Sequence, residues 1–320
     1  MHRSESLDSI RGIAILLVAI SHFFSNTIKY DGATHILGNY DINIGIIGRM
    51  GVMLFFFLSG FLIFHSLNKS NSIFKFYKKR ILRIYPPYLF SIVFYLFIST
   101  IVFIFINHYD IKTYFVNMLM LQDIFGIPLI VGVYWTLLIE IKFYLIIPIL
   151  VYLGYKYKKD VLDYVFIAMI ILNILYMEYR GTPSWLIVWM PLFWIGIYLY
   201  KFLHQNSITK YKFLLLLLLC FLYFLSIQEF FMALFLILNI SIFFIFYSYH
   251  IKNKYLSFIG IISYSFYLLH TVIGYPLLYL MTKYITLNYL LIKIGIVFLI
   301  SIFISYLSFK YIERLYWRSK

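Results

Sequence analysis

Ten apolar runs, each about twenty residues long and set off by polar or charged residues, constrain this 320-residue chain more than anything else in it. They cover about residues 10–28, 50–67, 84–106, 134–155, 161–177, 184–203, 212–228, 230–249, 257–281 and 288–310. A helix of that length crosses about 30 Å of hydrocarbon, so each run is a membrane span. Only 12% of the residues are charged, about half of what a soluble domain carries. The expected fold is all-α: a polytopic integral membrane protein with about ten transmembrane helices. No repeat, low-complexity linker or appended soluble domain is visible, so residues 1–320 read as one transmembrane domain.

The net charge of +15 would suit a nucleic-acid binder, but the basic residues sit between the apolar runs and there they orient the chain. With both termini inside, the inner segments hold twenty Lys and Arg and the outer loops only five, Lys29, Arg49, Lys112, Arg180 and Lys283. Lys142 and Lys293 fall inside spans. The asymmetry predicts cytoplasmic termini, no nucleic-acid partner, and the bilayer as the first partner. Between Asn107 and Tyr134 two shorter segments are expected on or in the outer face. Gln228 and Glu229 leave room only for a tight turn. No A-x-A-like site follows the first run, which is expected to stay as a helix. Cys220, alone in an apolar run, can form neither an intrachain disulfide nor a metal cluster.

Polar groups inside spans are costly and point to function. On the first helix Arg11 and His22 are eleven residues apart, hence on nearly one face and about 16 Å apart along the axis. Asp8 precedes Arg11 by three and can hold its guanidinium in place. Imidazole can take and return a proton near neutral pH, so His22 suits activation of a hydroxyl or acceptance of an acyl group. Asn26, one turn on, could bond the ring. The fourth span places Glu140 roughly 9 Å below the outer boundary, against roughly 8 Å for His22. A carboxylate at that depth could orient the imidazole, with Asp41 as the other candidate acid. Lys142 of a neighbouring copy, Lys293 and Arg49 are the competing partners for Glu140. Ser59 and Gly60 on the second helix read chiefly as a close-packing pair.

At the mouth of the third span, Arg80 and Arg83 share a helix face where Pro86 and Pro87 shape the chain. Two guanidinium forks suit phosphate oxygens, of which an acyl-CoA presents several. His270 lies near mid-span as either a second lining residue or a packing one. The other histidines lack metal-ligand spacing, and no G-x-S-x-G elbow, Walker A run or zinc signature occurs, so no metal or resident cofactor is expected.

These motifs resemble those of the membrane acyltransferase family 3, polytopic enzymes that O-acylate bacterial glycans. The likeness rests on L-D-x-x-R-G-x-A with its histidine (Leu7, Asp8, Arg11, Gly12, Ala14, His22) and on the Ser59-Gly60 run. It continues in R-x-x-R (Arg80, Arg83) with Ile84, Pro86 and Tyr88, and in Trp135, Thr136, Leu137, Glu140, Phe143 and Tyr144. The stretch from Ser263 to His270 completes it. One departure is Leu315, where many relatives have the proline of E-x-P; it weakens any role for Glu313 and Arg314, read as a snorkelled pair at the inner surface.

The resemblance implies an acyl-CoA-dependent O-acyltransferase of the bacterial cytoplasmic membrane. Its donor would be acetyl-CoA in the simplest case, and its acceptor a hydroxyl of a surface or exported glycan or a lipid-linked saccharide. On that reading Arg80, Arg83 and Arg11 hold the donor, His22 and Glu140 carry the chemistry with Arg11, and Asp8, Asn26, Trp135 and His270 support them. The family leaves the acceptor and the acyl chain open. The alternative of another class is a polysaccharide or small-anion transporter with charges lining its path, although such proteins often carry discontinuous helices and internal repeats and the sequence shows neither.

Overall fold

The computed structural model describes residues 4–31, 44–70, 72–101, 109–182, 184–205, 208–284 and 290–315; Asp41 lies outside them. Among the described residues there are helices and no strands. In chain order they are α1 (Glu5–Asp31), α2 (Gly45–Asn68), α3 (Ile73–Ile101), α4 (Ile111–Met118), α5 (Gln122–Phe125) and α6 (Trp135–Tyr157). Next come α7 (Val161–Arg180), α8 (Trp185–Tyr200), α9 (Lys210–Ser226) and α10 (Phe230–Ser248). The last are α11 (Lys254–Ile261), α12 (Ser263–Tyr284) and α13 (Leu290–Ser308). Among the described residues eight helices are long and apolar enough to cross a membrane, or nine if α11 and α12 make one span broken by a 74° bend. The chain is therefore a multi-pass membrane protein.

Each of the ten apolar runs falls on a helix, with three differences. α9 has 17 residues, about 25 Å, so the seventh run is short for an independent crossing. The run 257–281 breaks at Ile262, where Ser263 starts a new helix. α3 starts at Ile73 and passes through Pro86 and Pro87, so the prolines lie inside the helix and not at its mouth. Each removes a backbone donor, from the carbonyls of Leu82 and Arg83. Beside them the Ile84 carbonyl accepts a bond from the Tyr264 hydroxyl at 2.8 Å. The turn at Gln228 and Glu229 is present, with Gln228 in the left-handed region at φ 61°.

The chain forms two compact units. One comprises Met1–Gly51, Lys79–Trp135 and Lys252–Lys320. There α1 packs on α11, α12 and α13. The α1–α11 crossing is close because it is made by glycines: a Cβ on Gly12 would lie 2.1 Å from the Leu256 carbonyl oxygen, and one on Gly260 1.7 Å from that of Asp8. Small residues let helix backbones meet, and van der Waals contact drives association where no water is released. Hydroxyls pin the segment before α6 into this unit. Tyr88 donates to Asn117 O at 2.8 Å, Tyr267 donates to Val133 O at 2.6 Å, and Ser91 and Tyr134 share a 2.7 Å bond. Asn117 also clamps the returning strand of that loop by bonding Pro128 O at 3.0 Å and Ile130 N at 3.2 Å. Glu313 is buried and accepts from Ser265 at 2.8 Å, so it is a core residue and not half of a surface pair.

The other unit comprises Val52–Lys78 and Thr136–Ile251. Its tightest crossing is reciprocal: Gly60 of α2 faces the Phe193 carbonyl of α8, and Gly196 of α8 faces that of Phe57. Gly60 thus has the packing role its sequence suggests. Around that contact Phe56, Phe143 and Phe193 stack and Trp189 meets Phe56 edge-on. Trp194 satisfies its indole N–H on the Leu162 carbonyl at 3.0 Å.

Candidate active site

His22 and His270 meet in the first unit. His22 lies four turns into α1, and the α1–α12 packing brings it against His270, which is fully buried. His22 Nδ1 lies 2.9 Å from His270 Nε2, and the rings stack with centroids 5.1 Å apart and planes inclined by 24°. The bonding around His270 fixes which nitrogens carry protons. His270 Nδ1 lies 2.7 Å from the Tyr267 carbonyl oxygen and 3.2 Å from that of Phe266. A carbonyl only accepts, so His270 Nδ1 is the donor and, in the neutral ring, Nε2 is the acceptor. His22 Nδ1 must then donate to it. Neutral His22 is left with its lone pair on Nε2, the form a general base requires.

His22 also lines a cavity of about 300 Å³, near the lower end of the range for ligand pockets. Tyr95 and Ile98 come from α3, Ile130 to Val133 from the clamped loop, Trp135 from the start of α6, and Thr271 and Tyr275 from α12. Thr271 is 4% exposed, and its hydroxyl oxygen is itself buried, with no hydrogen-bond partner among the described residues. A buried unsatisfied hydroxyl is costly, and the residue that carries it lines the cavity. The Tyr275 ring stands edge-on to His22 at 6.5 Å.

Asp8 and Arg11 pair at 3.2 Å on the same helix as His22, with Asp8 almost wholly buried. The ion pair restrains the guanidinium, whose residue lies about 16 Å from that of His22 along the helix axis. Arg80 and Arg83 lie on α3 in the same unit, both half-buried. The structure therefore brings together His22, His270 and Trp135 at the cavity, and Asp8 with Arg11 further down α1. Asn26 does not bond the ring; its Nδ2 has no partner among the described residues.

Glu140 belongs to the second unit, where Ser59 donates to its Oε1 at 2.7 Å and Tyr144 donates to the same oxygen. The group that orients His22 through Nδ1 is His270 and not Glu140. Equal depth in the membrane made the His22–Glu140 pairing thinkable, but depth carries no information about helix rotation. Ser59 is thus more than a packing residue. Replacing Ser59 with alanine is expected to cost about 1 kcal/mol, read as a lower unfolding midpoint in detergent, since Tyr144 still serves the carboxyl group.

Sequence reasoning missed Thr271, Tyr275 and Tyr95. Thr271 and Tyr275 could have been found, being four apart on α12 and therefore on one face beside His270. Nothing in the pattern marks Tyr95 among the chain's 32 tyrosines.

Comparison with known proteins identifies the family. The family model described as an acyltransferase domain, acyltransferase family 3, matches residues 4–310. The chain is 29% identical over 198 residues to "Putative acetyltransferase ORF330" of Acidianus two-tailed virus. That match covers 59% of this chain and 53% of the viral protein, so the chain spans about half the length of the curated relative it matches. No solved structure matches it.

Proposed function

Since the chain belongs to acyltransferase family 3, we propose that it is an O-acyltransferase moving a short acyl group, most simply acetyl, from acyl-CoA to a hydroxyl of a surface or exported glycan. The observation that carries this reading is the His22–His270 pair, which leaves a basic nitrogen on a residue lining a cavity. Arg80 and Arg83, with Arg11 held by Asp8, hold the donor phosphates from the cytoplasmic side of a bacterial inner membrane. The pantetheine arm follows the face of α1 from Arg11 to His22. A cavity of about 300 Å³ walled by Ile98, Ile130 and Val133 suits a short acyl chain.

In the transfer, His22 Nε2 takes the acceptor's hydroxyl proton as that oxygen attacks the thioester carbon. Negative charge gathers on the thioester's carbonyl oxygen as the tetrahedral intermediate forms. The C–S bond then breaks, and the departing thiolate recovers the proton from His22. The products are the ester and free CoA. His270 keeps accepting from His22 Nδ1 throughout and holds the ring in position. Trp135 forms part of the wall against which the acyl group rests. Glu140 maintains the second unit through Ser59 and Tyr144.

The test is transfer of label from radiolabelled acetyl-CoA into the glycan fraction of membranes carrying the protein. Label enters the glycan with the wild type, and Arg80→Ala with Arg83→Ala raises the donor concentration needed by about tenfold or more while sparing the maximal rate. Absence of transfer from every acyl-CoA offered, with movement of glycan across the membrane instead, would mark a transporter.

A further inference from the structure

A second cavity, of about 370 Å³, lies wholly within the second unit and takes no part in the chemistry above. Three lysines line it, Lys158, Lys159 and Lys201, together with the polar ends of Asn68 and Gln205. Its remaining wall is apolar, from Phe64 and Leu150 to Val161 and Leu162. Two unusual backbone features converge there. Lys158, in the turn between α6 and α7, has φ 51°, a left-handed conformation uncommon for a residue with a side chain. From Lys201 to Gln205 the chain follows α8 with a π-helical turn, a rare form often found at functional sites. Both place lysines on the cavity.

Three lysines against one acid leave the cavity with a positive balance. Its one acid, Asp160, is engaged by Lys212 at 3.4 Å, and the same Lys212 holds Asp163 at 2.6 Å. Among the described residues Lys158 and Lys159 make no ion pair. Lys201 rests its ammonium 5.8 Å from the centre of the Phe64 ring, which holds the cation without neutralising it. The site thus joins three lysines, one acid and two neutral polar residues to an apolar wall, at the ends of α2, α6 and the π-helical turn and in the turn before α7, where the charge asymmetry expects the cytoplasmic side.

We propose that this cavity binds a phosphate anion carried on an amphiphile: the headgroup of an anionic phospholipid, its glycerol-phosphate on Lys158, Lys159 and Lys201 and its acyl chain along Phe64 and Leu150. A free phosphate would satisfy the same lysines but leave the apolar wall unused. This inference does not depend on the acyltransferase reading.

The test uses the full-length protein, purified in dodecyl maltoside, titrated separately with dioleoylphosphatidylglycerol, dioleoylphosphatidylcholine and inorganic phosphate. Bound molecules are counted by native mass spectrometry, and unfolding midpoints are followed in parallel. Saturable binding of phosphatidylglycerol, with phosphatidylcholine weaker, is expected. Each lysine-to-alanine change should weaken it roughly fivefold, the worth of one lysine beside an anionic headgroup. Lys201→Arg retains binding, and Lys210→Ala, outside the cavity, leaves it unchanged. If inorganic phosphate binds as tightly as the lipid, the lipid assignment is overturned and a free-phosphate site replaces it. Equal binding of phosphatidylglycerol by the triple alanine variant and the wild type, with helical content retained, would overturn the site altogether.

Discussion

His22→Ala is expected to lower the acyl-transfer rate about 10³-fold with the protein still folded and its donor affinity little changed. General base catalysis by a placed imidazole contributes about 10²–10⁴-fold, and the loss should fall on the maximal rate because Arg80 and Arg83 still hold the donor. His22 is half-buried beside a cavity, so truncation does not open a void in the packed core. The positioning role of His270 gives a companion result. His270→Leu removes the acceptor for His22 Nδ1–H, freeing the ring to turn or change tautomer, and should lower the rate as well. His270→Gln, whose side-chain oxygen can still accept, should recover part of what leucine loses. A merely structural His270 would show no such rescue.

The second large effect lies on stability. Gly260→Val is expected to cost about 3 kcal/mol or more, a large part of the roughly 5–15 kcal/mol that holds a domain together. A Cβ there would sit 1.7 Å from the Asp8 carbonyl oxygen, and what it meets is backbone, which cannot rotate aside. Gly12→Val should act alike, meeting the Leu256 carbonyl at 2.1 Å. Because Asp8 also holds Arg11, displacing its turn would loosen the guanidinium together with the crossing. Gly295→Ala is the control, since nothing lies within 4 Å of the added carbon. Unfolding midpoints in detergent, with chromatographic homogeneity, separate the three.

Much of this was legible in the sequence because hydropathy reports length along the chain. The ten apolar runs each correspond to a helix, and Arg11 and His22 share a face by helical arithmetic alone. What hydropathy does not report is rotation and direction. The run through Ile262 is apolar on both sides of its break, so composition could not reveal the 74° bend there. α3 begins near Ile73 because Lys75 to Arg83 is helical as well as basic, whereas a hydropathy threshold places the start where the charge ends. Counting along the helices gives His22 and Glu140 a similar expected depth, which says nothing of helix rotation: the bonds found are His22 with His270, and Glu140 with Ser59 and Tyr144. Ser59 and Thr271, two plain hydroxyl residues in apolar runs, carry no pattern that distinguishes a bonded from an unbonded role before the neighbours are known.

The most direct measurement is thiol release by the purified protein in lipid nanodiscs, given acetyl-CoA and an acceptor glycan, with His22→Ala run beside the wild type at equal protein. The account predicts one free CoA for each ester formed by the wild type and about 10³-fold slower release by His22→Ala. Equal release by both proteins, or ester formation by the variant at the wild-type rate, would contradict the assignment of His22 as the base.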